Sequence, residues 1–214
     1  MLYFLIKLMA ITAIRTFFNK ISAENVDYIA KDTPIIFTAN HPNTMMDPMI
    51  IGYTCKRKLH FFAKSTLFNN LIAGWFLRRI QIVPVYRKVD DPSKMDQNKE
   101  TFSKGYEILK QNKAFLIFPE GISTGDRKLS QIKTGAARIG FGAEAENDWQ
   151  LGVQIIPVGL NYANAIKFRS DVSTRFGQPI QLTDFRDVYE QNEKEAVHLV
   201  TEQIATALSK LTIN

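Results

Sequence analysis

The chain has 214 residues, 45% hydrophobic and 22% charged, which is enough for one core and one domain and too apolar for a disordered segment. Lys and Arg outnumber Asp and Glu by 27 to 21, and the net charge of +6 favours an anionic partner such as a phosphorylated substrate or a lipid surface. The single cysteine, Cys55, excludes an internal disulfide, and the basic runs carry none of the aromatic interleaving expected for nucleic-acid binding.

In chain order the first element is Leu2 to Phe18, apolar apart from Lys7, Thr12, Arg15 and Thr16. As a helix of about 17 residues it reaches roughly 26 Å, short for a bilayer crossing. Lys7 and Arg15 fall within roughly 80° of each other around such a helix, so a broad apolar face remains. The pattern predicts an interfacial, membrane-contacting helix. A helix packed on the core is the alternative. A signal peptide fits less well, because basic residues interrupt the apolar stretch and Ile21-Ser22-Ala23 is a poor cleavage site. Residues 1–30 are therefore read as interfacial helix and linker, and 31–214 as the folded domain.

From Pro34 onward, apolar runs of strand length alternate with helical patterns. The runs are Ile35 to Ala39, Leu59 to Ala63, Ile80 to Tyr86, Ala114 to Phe118, Val153 to Leu160 and, more weakly, Thr174 to Gly177. Phe102, Tyr106 and Leu109 recur at helical spacing, as do Ala136, Ile139 and Ala143, and Val197, Val200, Ile204, Leu208 and Leu211 mark a long closing helix. This alternation predicts a single α/β domain with a largely parallel central sheet flanked by helices. Apolar bulk is concentrated from Phe61 to Leu77 and ends in Arg78-Arg79, which suits either a buried helix or a second interfacial one. Cys55 reads as a buried thiol, His60 as a core or edge histidine, and His198 as a solvent-facing one. No pair of histidines has metal-ligand spacing, so a metal is not expected.

Residues 40–48 read Asn-His-Pro-Asn-Thr-Met-Met-Asp-Pro, directly after the apolar Ile35-Ile36-Phe37. An imidazole at the end of a buried strand with a carboxylate a short turn away is the arrangement of a general base: Asp47 accepts the Nδ1 proton of His41 and turns Nε2 toward an alcohol. The structural alternative is that Asp47 caps a helix starting at Pro48. Phe118-Pro119-Glu120-Gly121 follows another apolar run, Ile82-Val83-Pro84-Val85-Tyr86 leads into Arg87, and Ile155-Ile156-Pro157-Val158 comes later. His41, Arg87, Glu120 and Asn161 each lie near the end of a different strand, where parallel sheets bind ligands, so one pocket is expected to collect all four.

In this order the four blocks resemble the PlsC-type glycerolipid acyltransferases, over about residues 34 to 180. Two departures stand out. Five residues, Pro42 to Met46, separate His41 from Asp47 where the commonest family form has four, as in a variant found among some glycerol-3-phosphate acyltransferases. Ser123 stands where the family often has an Arg after Phe-Pro-Glu-Gly, and Arg127 is the nearest replacement. The resemblance implies transfer of a fatty acyl group from acyl-CoA or acyl-ACP to a hydroxyl of glycerol 3-phosphate or lysophosphatidate in phospholipid biosynthesis, with no cofactor. It casts His41 as base and Asp47 as its orienter, with Glu120, Gly121 and Asn43 at the acceptor site. Arg87 is expected to grip the acceptor phosphate through its planar fork, with Arg127 and Lys133 as secondary candidates. The expected setting is the cytoplasmic face of a membrane carrying anionic lipids. Another lyso-lipid acceptor, or a catalytically silent lipid-binding or tethering protein of the same fold, are the other readings.

Overall fold

Five apolar runs lie side by side as parallel strands, a pairing that demands cover on both faces of the sheet. The computed structural model describes residues 2–79, 82–86, 98–121 and 129–213, with no side-chain description for residues 2–7 and 73. The five are β2 (Ile35–Ala39), β3 (Leu59–Lys64), β4 (Ile82–Val85), β5 (Ala114–Ile117) and β6 (Gln154–Tyr162), in the order β6-β2-β5-β3-β4. β7 (Asp171–Phe176) runs antiparallel to β6, and β1 (Lys20–Glu24) pairs in parallel with β7. The two-residue β8 (Ile180–Gln181) pairs with the start of β6, completing an eight-stranded sheet.

The pleat explains the layers. On β2, Ile36 faces one cluster while Ile35, Phe37 and Ala39 face another, and on β5 Phe115 opposes Ala114 and Leu116 in the same way. The first face is covered by α4 (Asn98–Lys110), α5 (Gly135–Ala145) and α7 (Glu193–Leu211), which contribute Leu109, Ile139, Val200, Ile204 and Leu208. The second is covered by α1 (Leu2–Phe17) and α2 (Met46–Thr54), through Ile14, Ile50 and Ile51. Each fully buried Ile, Leu or Phe contributes about 1.5 to 3 kcal/mol of burial, so both faces are strongly specified. α3 (Leu71–Arg79) and α6 (Arg186–Gln191) complete the α-helices among the described residues.

Three departures from the sequence reading have physical causes. The segment read as linker contains β1, a half-exposed edge strand of sequence Lys-Ile-Ser-Ala-Glu with no apolar run to announce it. The weak run at Thr174 is the second half of a strand that starts at Asp171, because β7 buries one face only and so alternates. The C-terminal end of α1 belongs to the core: Ile14 and the following Phe18 are buried, and Arg15 donates through Nε and Nη2 to the Tyr53 hydroxyl on α2, at 3.1 and 3.0 Å. Leu8 and Met9, nearer its start, are exposed. Among the described residues no helix is long and apolar enough to cross a membrane.

Cys55 is buried, with Sγ 3.6 Å from the Arg57 carbonyl, and His198 is exposed beside Glu202. His60 is buried on β3, its Nδ1 3.3 Å from the Ala114 carbonyl, and burial pushes its imidazole below the ordinary value of 6.5. The unfolded chain therefore binds a proton at a pH where the folded one does not, so this residue contributes stability that is lost as pH falls through 6.5. We expect the urea midpoint to drop between pH 7.5 and 5.5, and His60→Gln to flatten part of that slope. An identical slope in the variant would remove His60 as the cause.

Candidate active site

The site is built where two neighbouring strands end. β2 and β5 pair in parallel with Thr38 opposite Ile117, so the loop after each opens on the same sheet edge. The loop after β2 is fixed by buried Asn40, whose Nδ2 donates to the Leu160 carbonyl at 3.0 Å while its Oδ1 accepts the Leu160 N–H at 2.7 Å. The loop after β5 delivers Glu120, also buried. One of its carboxylate oxygens accepts the backbone N–H of His41 at 3.0 Å and the other that of Ser130 at 2.9 Å. Phe118 stacks on the His41 ring, centroids 3.8 Å apart and planes 11° from parallel, which limits imidazole rotation.

Asp47 is fully buried in the first turn of α2. The helix starts one residue earlier, behind Met45 and without any side-chain cap, so the capping reading of Asp47 does not hold. Its carboxylate collects donors instead. Oδ2 lies 2.8 Å from His41 Nδ1 and accepts the Asn43 N–H at 2.8 Å, while Oδ1 accepts the Tyr162 hydroxyl at 2.6 Å. An ionised carboxylate only accepts, so Nδ1 carries the proton and Nε2 is the basic nitrogen. Burial pushes the Asp47 carboxyl up, against the opposing effect of the hydrogen bonds from His41, Tyr162 and Asn43. Burial and the adjacent carboxylate hold the Tyr162 hydroxyl far above its ordinary range, so it stays a donor.

His41 opens on a groove of about 1240 Å³, walled by Ile14 of α1, Pro48 and Met49 of α2, Phe61 of β3, and Phe118. Lys133 also lines it. The lysine side chain lies across Gly121, where φ of +74° is the backbone conformation that requires glycine. Arg138, in the first turn of α5, lines the groove with its guanidinium over the Phe102 ring at 5.1 Å. Among the described residues no cluster of three His, Cys, Asp or Glu side chains could hold a metal ion.

With this geometry in place, comparison with known proteins is decisive on lineage. The Acyltransferase family profile matches residues 20–161. The chain belongs to the Acyltransferase family. A 1-acyl-sn-glycerol-3-phosphate acyltransferase of Streptococcus pneumoniae is 28% identical over 192 residues, 87% of this chain and 64% of the relative. A glycerol-3-phosphate O-acyltransferase of Saccharomyces cerevisiae is 33% identical over 118 residues, 55% of this chain and 16% of its own length. The chain thus spans less than two thirds of these relatives. The crystal structure of a 1-acyl-sn-glycerophosphate acyltransferase from Thermotoga maritima superposes with a TM-score of 0.66 at 21% identity, covering 99% of this chain and 81% of the other, which establishes the shared fold.

Within this family member, the residues singled out from sequence fare differently. His41 and Asp47 are in contact, and Gly121 and Lys133 share their groove. Asn43 and Glu120 do not line it: Asn43 donates through Nδ2 to the Ala165 carbonyl at 2.7 Å, and Glu120 holds main chain. Asn161 does not converge on the pocket. It lies inside β6, donating to the Leu211 carbonyl at 2.9 Å and accepting the Ile213 N–H at 2.7 Å, which pins the end of the chain. Arg87, Ser123 and Arg127 lie outside the described residues. Sequence reasoning missed Tyr162 and the stacking role of Phe118. The apolar run through β6 stops two residues short of Tyr162, and no spacing rule links it to Asp47.

Because both Glu120 oxygens accept main-chain N–H groups, Glu120→Gln places an amide NH₂ against one of them and leaves a buried donor unmet. We expect a stability loss of about 1 to 3 kcal/mol, read from the denaturant midpoint. An unmoved midpoint with a raised acceptor KM would instead place Glu120 on the acceptor.

Proposed function

We propose that the chain transfers a fatty acyl group from an acyl thioester, of coenzyme A or acyl carrier protein, to a hydroxyl of glycerol 3-phosphate or lysophosphatidate. The observation that carries this reading is an imidazole held at 2.8 Å by a fully buried carboxylate, at the wall of a large groove lined mainly by apolar side chains. The names of the pneumococcal and yeast relatives supply the two acceptors.

The acceptor hydroxyl loses its proton to His41 Nε2 as its oxygen attacks the thioester carbonyl. The tetrahedral intermediate then expels the thiolate, which recovers that proton from the imidazolium. Base catalysis of this kind is worth about 10² to 10⁴ in rate. The acyl chain occupies the apolar groove. Lys133 is a phosphate cation at the groove, Arg138 joins it there, and Arg87 and Arg127 are assigned the same role from the sequence blocks. Glu120 acts on the backbone that carries His41, and the Asn43 N–H acts on the Asp47 carboxylate.

Membrane contact is part of the same proposal. Leu71 and Ile72 on α3 are 89% and 80% exposed, Trp75 is exposed beside them, and Arg78 and Arg79 follow in the last turn. Met45 and Leu67, also exposed, belong to the groove wall, so the apolar surface continues into the groove. A bilayer covering this surface would let a lipid acyl chain enter without crossing water.

The chemical test is thiol release from an acyl thioester over a panel of acceptors. We expect His41→Ala to lower kcat by about 10² or more with the fold intact. Asp47→Asn removes the buried charge and its desolvation cost, and its NH₂ meets the Tyr162 oxygen, which also accepts, so turnover should fall with little loss of stability. Near-normal turnover in folded His41→Ala would remove the base from the mechanism. For the membrane reading, we expect the protein to pellet with vesicles and to be released by detergent but not by salt alone. Each inserted Leu or Ile is worth about 1.5 to 3 kcal/mol and is unscreened, against about 1 kcal/mol per screened cation. Replacing Leu71, Ile72 and Trp75 by Ser should weaken the pelleting, and retention equal to the parent would exclude α3 from the contact.

A further inference from the structure

A carboxylate can orient an imidazole only if something else orients the carboxylate. Two donors, His41 Nδ1 and the Asn43 N–H, converge on the same oxygen of Asp47, Oδ2. A partial rotation about the Cβ–Cγ bond would carry that oxygen away from both, whereas a half turn only exchanges two equivalent oxygens. Among the described residues only the third donor meets Oδ1, and it is the hydroxyl of Tyr162 at 2.6 Å.

We propose that Tyr162 is a positioning residue for the His41–Asp47 pair: its hydroxyl holds Asp47 Oδ1 and thereby fixes Oδ2 on His41 Nδ1. The inference rests on the acyltransferase reading for its kinetic consequence, but its geometry does not. Tyr162 is itself held firmly. It is the last residue of β6, paired with Val172 of β7, and its ring packs against Phe18 at 5.8 Å between centroids. Phe18 follows directly on α1, so the end of that helix, one strand and the carboxylate form a continuous contact reaching the imidazole. The hydroxyl stays protonated throughout, because burial and the neighbouring charge both oppose its ionisation.

Tyr162→Phe keeps the ring against Phe18 and deletes the O–H alone. The expected result is a fall in kcat of about tenfold with the KM of donor and acceptor within about twofold of the parent, since the interaction serves the transition state and not ground-state binding. In an Asp47→Asn background the same change should alter kcat by less than about twofold, because the group it acts through is gone. Placing 3-fluorotyrosine at position 162 retains a stronger hydroxyl donor, restores turnover and shifts the NMR resonance of the His41 Nδ1 proton. Full kcat in Tyr162→Phe overturns the proposal, as does an equal loss of kcat in the Asp47→Asn background. If Tyr162→Phe fails to fold, the 3-fluorotyrosine protein decides: an unmoved Nδ1 proton resonance overturns the proposal. If the parent protein releases no thiol from any thioester, the acyltransferase reading falls, and the same resonance still tests the positioning.

Discussion

The charge on Asp47 is the constraint around which the site is organised. Removing a carboxylate from water costs several kcal/mol even after relaxation, and that cost is tolerated only where donors surround the group. Three donors do so from three parts of the chain: the ring of His41 after β2, the backbone of Asn43 in the next turn, and the hydroxyl of Tyr162 at the end of β6. Burial still outweighs them, since the carboxyl sits above its ordinary value. The pair is therefore not a device for stability. It uses stability derived from the two apolar clusters to hold an imidazole in one tautomer and one orientation.

A second buried carboxylate, Glu120, does for the main chain what Asp47 does for the side chain. By accepting the N–H groups of His41 and Ser130 it fixes the spacing between the loops that follow β2 and β5. Those loops meet because the two strands are adjacent and parallel in the sheet. Phe118, two residues before Glu120, then lies flat on the imidazole. One short sequence thus constrains the backbone and the ring plane of His41 together, which explains physically why the two blocks occur in the same chain.

What could be read in advance follows from how each feature is encoded. Strands buried on both faces, such as Ile35 to Ala39, need continuous apolar runs and are visible as such; β1, half exposed at the edge, needs none and reads as linker. His41 and Asp47 could be paired from sequence because a short loop joins them. Tyr162 could not, since 115 positions separate it from Asp47 and only the β6–β2 pairing brings them together. Asn161 shows the opposite error. Its place after an apolar run suggested a pocket residue, but the strand continues past it and its side chain faces the chain's C-terminal segment.

The same geometry bears on why the proposed reaction needs no covalent intermediate. A thiolate is a good leaving group, so the demanding step is making the acceptor oxygen nucleophilic beside the carbonyl. That task calls for a base whose position is fixed within fractions of an ångström more than for a strong one. Asn40, Glu120 and Asp47, which fix His41, are themselves fixed among the described residues: Asn40 by both polar groups of Leu160, Glu120 by two main-chain donors, and Asp47 by three donors. Each of these ties runs to β6, or to the loops that follow β2 and β5, so the rigidity of the central parallel strands is transmitted to the imidazole. Beyond them, the groove wall changes character, to the half-buried Met49 and the exposed Met45 and Leu67. On the proposed reading this division is functional: the base stays rigid while a compliant apolar rim accommodates an acyl chain.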